Sequence, residues 1–521
     1  MTTIAQAGHM LERARWAARA YADYDRGSVE AIVAAAAEAG YAEAERFAAA
    51  AVAETQMGVA ADKVVKNRAC SRGIVEHYRD EDFVTPRIDP VRKIVEIPRP
   101  AGVVLALTPT TNPVATVYFK TLLALMTRNA VVVCPHPRAK RCSAEAARVL
   151  ADAAVAAGAP DGIVQVVEEP TIPLVEALMG DERTDVVVAT GGTAVVRAAY
   201  SSGNPALGVG PGNVPVLVDA SADVAAAARR IVDSKAFDNS VLCTNESVLI
   251  AEESIADQLR SALTRAGAYV LGDDEAQRLR AYMFPDGHLN TDVVGRDASW
   301  IAGQAGLRVT PKTRVLVAPF DMVVAEEVLA HEKLSPVLGF TTVADAARGI
   351  RAARAVVRIG GAGHSAAIHS ENPYVITEFA AQVPVLRVSV NVGNSTGSAG
   401  LDTNLDPSMT IGTGFVGRSG LGENLRPHHL LNWTRIAYNS DPAVSMPEFG
   451  GISPWHAPAG PVPAYPRASN DPAAGLPVQP AAPVRSGTVA GGSRPLDPTL
   501  EALRAELRKL VVEELAQLIK R

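Results

Sequence analysis

Between residues 102 and 250 the chain repeats one pattern: a short valine-rich apolar run, then a stretch of helical spacing, then another run. The runs at 102–107, 130–134, 162–167, 185–189 and 214–218 show little of the in–out alternation of a half-exposed strand. Strands covered on both faces read this way, and strands alternating with helices pair in parallel. The pattern therefore predicts a doubly wound α/β sheet. A second set of runs, at 314–318, 337–340 and 366–369, predicts another α/β domain behind the first.

The flanks read differently. Residues 1 to about 80 are alanine-rich with apolar residues at helical spacing, as in Ala31, Ile32, Val33 and Ala36 and then Phe47, Ala51 and Val52, which predicts a helical lead-in. The stretch 91–97 partly alternates and has prolines at its margins, so a strand or hairpin is expected within 83–99. After about Phe449 proline, alanine, glycine and serine dominate, and 451–494 reads as a linker. Beyond it, Pro498 opens a segment with Leu500, Leu503, Leu507, Leu510, Leu515 and Leu518 on one side and charged residues on the other. That spacing predicts an amphipathic helix over 495–521. It can dock in a groove or bundle with copies of itself, or else fold back on its own domain.

Composition excludes several classes of protein. A formal charge of -6 implies no polyanionic partner such as nucleic acid. No run approaches the roughly 20 uncharged apolar residues of a membrane span, and the N-terminus lacks the apolar core of a signal peptide. The four cysteines, Cys70, Cys134, Cys142 and Cys243, are few and lack zinc-clip spacing, so a reducing cytosolic compartment, no disulfides and no metal are expected. Adjacent His428 and His429 point in different directions on any regular element, which argues against a ligand pair.

Cys243 lies in the segment Phe237-Asp238-Asn239-Ser240-Val241-Leu242-Cys243-Thr244-Asn245-Glu246, between an apolar approach and a polar exit. A catalytic thiol needs such a setting, although a free cysteine also packs well as a small hydrophobe. Thr108-Pro109-Thr110-Thr111-Asn112-Pro113 follows a buried strand, where α/β folds place functional loops. Asn112 can aim its amide at a developing oxyanion; a turn asparagine before proline is the competing reading. Thr190, Gly191 and Gly192 also end a strand and precede a helix, a junction where backbone amides can approach a pyrophosphate. Gly412-Thr413-Gly414-Phe415-Val416-Gly417 matches the dinucleotide G-x-G-x-x-G literally, but no βαβ unit surrounds it and it reads as a loop near the active site.

Taken in order, Thr108–Pro113, Pro135-His136-Pro137-Arg138-Ala139-Lys140, Thr190-Gly191-Gly192, Gly208-Val209-Gly210-Pro211-Gly212-Asn213, the Cys243 segment, His331-Glu332-Lys333-Leu334-Ser335-Pro336 and Gly360-Gly361-Ala362-Gly363-His364-Ser365 resemble the aldehyde dehydrogenase superfamily, specifically its coenzyme A-acylating branch. The resemblance covers roughly residues 10–445. Residues 423–432 look like the aldehyde dehydrogenase half of bifunctional alcohol-aldehyde dehydrogenases.

The resemblance implies an NAD-binding Rossmann-like domain (1–211, with an oligomerisation hairpin at 83–99), a catalytic domain (212–410) and a return segment near the active site (411–450). It implies that Cys243 attacks a small aldehyde, that Asn112 and the Cys243 N–H hold the oxyanion, and that hydride passes to NAD. It gives His364 proton transfer with coenzyme A, and Glu332 either the nicotinamide ribose or a proton. Thr108, Pro109, His136, Pro137, Arg138, Thr190, Gly191, Gly192, Gly210 and Gly212 would line the cofactor site. Val209 stands where hydrolytic members carry a glutamate base, so a thiol acceptor is expected to replace water. His136 departs from the usual ribose grip, which predicts shallower NAD binding, and Arg138 and Lys140 leave NADP open. Val241, Leu242, Thr244 and Phe415 suggest a compact apolar pocket, whereas Arg418 and Arg426 leave room for an anionic aldehyde. The resemblance further implies a homodimer or dimer of dimers and, for 495–521, an encapsulation peptide addressed to a bacterial microcompartment shell or its other cargo; the alternatives are a hydrolytic enzyme giving a free acid, or a scaffold of the same fold.

Overall fold

The computed structural model describes residues 3–460 together with Ala464 and Tyr465. Its strands are β1 (Arg87–Asp89), β2 (Ile94–Pro100), β3 (Val103–Thr108), β4 (Ala130–Pro135), β5 (Val164–Val166), β6 (Val186–Thr190), β7 (Ala206–Val209), β8 (Val214–Val218), β9 (Glu246–Glu252), β10 (Ala268–Val270), β11 (Val315–Pro319), β12 (Val337–Val343), β13 (Ala366–His369), β14 (Val388–Val390) and β15 (Leu431–Ala437). They form a parallel five-stranded sheet in the order β5-β4-β3-β6-β7, a parallel seven-stranded sheet in the order β10-β11-β12-β9-β8-β13-β14, and an antiparallel three-stranded sheet β1-β2-β15.

In the five-stranded sheet, winding starts at β3 and runs outward both ways, so its direction reverses between β3 and β6. All of β3 and β4 is buried, which is why these strands read as unbroken apolar runs. The helix Pro113–Met126 that follows β3 is buried along its whole length. The lead-in helix Arg26–Ala42 packs on it from outside, as the helical spacing of the first eighty residues requires.

The run 214–218, expected beside the others, joins the second sheet instead. Only Gly210, Pro211, Gly212 and Asn213 separate β7 from β8. A parallel neighbour in the same sheet needs a crossover of about a dozen residues, so so short a link has to cross to another sheet. The expected hairpin is β1 with β2, and β15 adds a third strand that pairs from Leu431↔Pro100 to Ala437↔Ile94.

By contact, Met1–Tyr465 is one unit that holds all three sheets. Among the described residues no helix is long and apolar enough to cross a membrane. The amphipathic segment at 495–521 and most of the linker lie outside the described residues.

Candidate active site

A cavity of about 620 Å³ opens where the first sheet's strands end and the second sheet's strands begin. From the first sheet come Thr108–Asn112 after β3, Pro135–Arg138 after β4 and Thr190–Gly192 after β6. Two of these loops flank the reversal of winding, the place where an open α/β sheet leaves a crevice. Val209 and Gly210 lie at the end of β7, Cys243 just before β9 and Glu332 just before β12. Met57, Leu334, Met409 and Ile411 reach the same cavity from distant parts of the chain.

The cysteine loop is held under strain. Asp238, Asn239 and Ser240 take positive φ values of 48°, 49° and 63° in succession, a conformation that residues with a Cβ adopt only when their surroundings enforce it. The fully buried Asp238 carboxylate accepts from Val59 N at 2.6 Å, from Lys63 Nζ at 3.0 Å and from Lys66 Nζ. Asn239 donates to Gly295 O at 3.0 Å and Asp297 Oδ1 at 2.9 Å. On the far side of the cysteine, Lys235 Nζ donates to Asn245 Oδ1 and Glu246 O, both at 2.6 Å, and Asn394 Nδ2 donates to Thr244 O at 2.7 Å. Cys243 itself is half-buried, and burial, with Glu332 next to it, pushes its thiol up to about 12. The Arg387 guanidinium pulls the other way.

Asn112 is buried at the head of Pro113–Met126. Its Nδ2 donates to Val241 O at 3.2 Å and Thr111 Oγ1 at 3.3 Å, long bonds that hold the amide N–H side toward the cysteine loop. Glu332 lines the cavity, and burial pushes its carboxyl up to about 8, against a Gly212 backbone hydrogen bond that favours ionisation. It is thus protonated in the fold over a range where the unfolded chain has released the proton. The contribution of Glu332 to stability is therefore full below pH 4.5 and is lost as pH rises to about 8. A Glu332→Gln variant is expected to gain stability on wild type across that window, on the order of 2 kcal/mol at pH 8, read from urea melts at several pH values.

His364 does not line the cavity. It is fully buried behind Gly212, its Nδ1 3.0 Å from Ser365 Oγ and its Nε2 without a partner among the described residues. Burial, reinforced by Arg387, pushes its imidazole down to about 3, so the ring is neutral near pH 7. Gly212 also stands behind the wall: a Cβ there would overlap the Cys243 carbonyl. The other expected residues, Asn112, Cys243, Glu332, Thr108, Pro109, His136, Pro137, Arg138, Thr190, Gly191, Gly192 and Gly210, all line the cavity.

Three expectations about substrate contacts fail. Phe415 is 90% exposed and lies outside the cavity, on a loop that turns away after Ile411. Arg418 and Arg426 also lie outside, and Arg426 is taken up by Asp406 at 3.2 Å and Glu81 at 3.5 Å. Val241, Leu242 and Thr244 do line the cavity. The reading of His428 and His429 as diverging is also overturned. Their rings lie 3.9 Å apart, and both Nε2 atoms face Glu423 Oε1, at 3.5 and 3.0 Å: on the short 3-10 turn Pro427–Leu430 the two imidazoles converge on one shared carboxylate, although the turn itself sets neighbouring side chains apart. His429 Nδ1 already accepts the Arg426 N–H at 3.0 Å, so its Nε2 carries the proton and donates to Glu423 instead of offering a lone pair to a metal.

A nucleotide fits the first-sheet side of the cavity. At Gly192 and Gly210 an added Cβ would meet no atom within 4 Å, so bare backbone faces open space. Gly192 also caps the helix Thr193–Ser201 with its N-terminus toward the cavity wall. Lys63, Lys66, Asp238, Lys235 and Arg387 went unassigned in the sequence. The one signal for the first pair was the three-residue spacing of two lysines in a helix that also carries Asp62, Asn67 and Arg68, which reads equally well as a solvated face.

The chain matches the aldehyde dehydrogenase family over residues 1–283. It is 37% identical over 444 residues to the aldehyde-alcohol dehydrogenase of Clostridium acetobutylicum; the alignment takes in 84% of this chain and 51% of that protein, so the chain spans about half the length of such bifunctional relatives. The crystal structure of an acetylating aldehyde dehydrogenase from Geobacillus thermoglucosidasius superposes with a TM-score of 0.83 at 38% identity, covering 86% of this chain and 98% of that one. A propionaldehyde dehydrogenase from the fucose-utilisation microcompartment of Clostridium phytofermentans gives 0.75 at 27% identity, covering 83% and 97%. The chain belongs to the aldehyde dehydrogenase family. Within it, the similarity along nearly the whole Geobacillus chain places it with the acetylating members.

Proposed function

We propose that the protein oxidises a small aldehyde to an acyl-CoA, using NAD and coenzyme A, through a thioester on Cys243. The observation that carries this reading is Val209. It is buried in the cavity wall beside Gly210, in the segment where hydrolytic relatives place a glutamate base. A valine cannot deprotonate water, whereas a thiol acceptor is already a strong nucleophile as its thiolate.

In this reading Cys243 Sγ bonds to the aldehyde carbon, and the carbonyl oxygen becomes an oxyanion facing Asn112 Nδ2 and the Cys243 N–H. The Cys243 proton has to leave, and Glu332, with its carboxyl near 8, is matched to accept it in its ionised form. Bound nicotinamide supplies the acceptor for the hydride that leaves the tetrahedral carbon. The coenzyme A thiolate then attacks the thioester carbon, the C–S bond to Cys243 breaks, and the enzyme thiolate recovers a proton. Thr108, Thr190, Gly191 and Gly192 would hold the nucleotide, and Arg138 at the exposed rim would meet a phosphate of either ligand. His364, neutral and behind the wall, acts in this scheme on the Gly212–Cys243 backbone contact rather than on coenzyme A directly.

The mostly apolar lining, with Met57, Leu242, Leu334 and Ile411, favours a short aliphatic aldehyde. We further propose that 495–521 addresses the protein to a bacterial microcompartment, since one similar structure comes from such a compartment and the segment's sequence is amphipathic beyond a proline-rich linker. The decisive measurement is NADH absorbance with NAD and propionaldehyde, before and after coenzyme A, with propionyl-CoA identified by mass. A sustained rate is expected only after coenzyme A is added. A chain ended at Tyr465 is expected to keep that rate and to lose co-sedimentation with shell protein. A sustained rate without coenzyme A would instead make the enzyme hydrolytic, with Glu332 as its base.

A further inference from the structure

We infer that Lys66 is a positioning residue that sets which face of the Asn112 amide meets the substrate oxygen, and that Asp238 holds Lys66 in place. The inference rests on the reading of Asn112 as an oxyanion donor and adds the residue that makes it one.

Lys66 and Lys63 lie three residues apart in the helix Ala60–Arg68, which puts both on one face. Lys66 is 1% exposed, and neither lysine lines the cavity. Lys66 Nζ contacts two side chains, Asn112 Oδ1 and Asp238 Oδ2. Lys63 Nζ contacts Asp238 Oδ2 at 3.0 Å and Thr111 O at 3.0 Å, the carbonyl just before Asn112. One buried carboxylate thus serves two ammonium groups. Burial and the Lys66 charge push Lys63 down to about 8.

An ammonium group has three donors and no acceptor. The Asn112 atom that faces it must therefore be the oxygen, which turns the NH2 away from Lys66, toward Val241 O of the cysteine loop at 3.2 Å and the adjacent Thr111 Oγ1 at 3.3 Å. Without the cation, a half-turn of the amide would present an oxygen to the developing oxyanion, and repulsion would replace stabilisation. The positive charge on Oδ1 also polarises the amide and makes its N–H groups stronger donors in a water-poor site. The same Asp238 opens the left-handed turn of Asp238, Asn239 and Ser240, so one carboxylate fixes both the donor and the loop that carries the nucleophile.

Lys66→Met tests this with little threat to the fold, because Lys63 remains to neutralise Asp238 and methionine fills a similar space. With saturating NAD and coenzyme A, kcat is expected to fall roughly 10- to 100-fold, part of what removal of a whole oxyanion donor does, while the aldehyde KM stays within about twofold. Alkylation of Cys243 by iodoacetamide, which forms no oxyanion and which the three buried cysteines cannot imitate, is expected to keep its wild-type rate. In an Asn112→Ala background the same lysine change is expected to cause no further loss, because the amide it orients is gone. Lys66→Gln, which can donate but carries no charge, is expected to lie between Lys66→Met and wild type, and it serves the same cycle if the methionine variant does not fold. An unchanged kcat, a parallel fall in alkylation, or losses that multiply in the double variant would each overturn the inference. Full activity in Asn112→Ala alone would overturn the oxyanion reading beneath it, a failure distinguishable from that of Lys66.

Discussion

Cys243→Ala is expected to eliminate acyl-CoA formation, with a fall of about four orders of magnitude or more, and to leave the fold intact. The sulfur is the only atom removed, and it lies half-buried on a cavity wall instead of inside the packed core. The loop keeps its conformation without it. Asp238 is clamped by Lys63, Lys66 and Val59 N, Asn245 by Lys235, and Thr244 through the bonds of its own hydroxyl to Ser395 O and of its carbonyl to Asn394. Stability is therefore expected to change by about 1 kcal/mol or less. Activity has no such support. Without the thiolate there is no covalent intermediate, no thioester for coenzyme A to cleave, and no described cysteine to take its place: Cys70 and Cys142 lie outside the cavity, and Cys134, next to last in a wall strand, is only 3% exposed. The check pairs mass detection of propionyl-CoA with a thermal melt. Residual turnover above about a tenth of wild type would move the chemistry away from Cys243.

What the sequence disclosed follows a physical rule. Runs buried on both faces leave a mark in composition, so β3, β4, β6, β8, β11, β12 and β13 were legible, and so was the short β5, because the apolar run 162–167 extends beyond it on both sides. β10 and β14 are three residues long, β9 begins and ends in glutamate, and β15 is partly exposed, so none carried a distinctive pattern. The cavity's near residues were legible because loops at strand ends carry Thr, Pro, Gly and Asn in a recognisable order. Residues that act from behind the wall were not. Lys66 in a surface-like helix and Asp238 in a short loop have no local signature, because their function is created by a tertiary contact across more than 170 positions: Lys66 and Asp238 are 172 apart. Exposure misled in the other direction. Phe415 and Arg426 look like pocket residues by type, yet they face solvent and a carboxylate pair respectively.

Gly212→Ala is expected to cost both activity and stability, and for one steric reason. A Cβ at this position would overlap the carbonyl oxygen of Cys243 and would lie 3.3 Å from His364 Nδ1. Both the glycine and the obstructing carbonyl belong to backbone, so no side-chain rotation relieves the overlap. The link has no slack, since Gly210–Asn213 is the whole connection from β7 to β8, and Asn213 Nδ2 is tied to Ala330 O at 2.9 Å and Val356 O at 3.1 Å. Room must come from displacing the Cys243 backbone, and with it the N–H assigned to the oxyanion. A displacement of about 1 Å is enough to lower the rate roughly 100-fold, and overpacking of this kind costs about 1–3 kcal/mol. The Gly212 hydrogen bond to Glu332 would move as well, raising that carboxyl further and shifting the acid limb of the pH–rate profile, where the base must be ionised, to higher pH. Gly420→Ala is the matched control: a Cβ there meets nothing within 4 Å, and the residue lies outside the cavity. Wild-type kinetics in Gly420→Ala beside a slow, destabilised Gly212→Ala would fix the close approach of the β7–β8 link to Cys243 as a requirement of catalysis, whereas a fully active Gly212→Ala would show that the nucleophile's backbone tolerates the displacement.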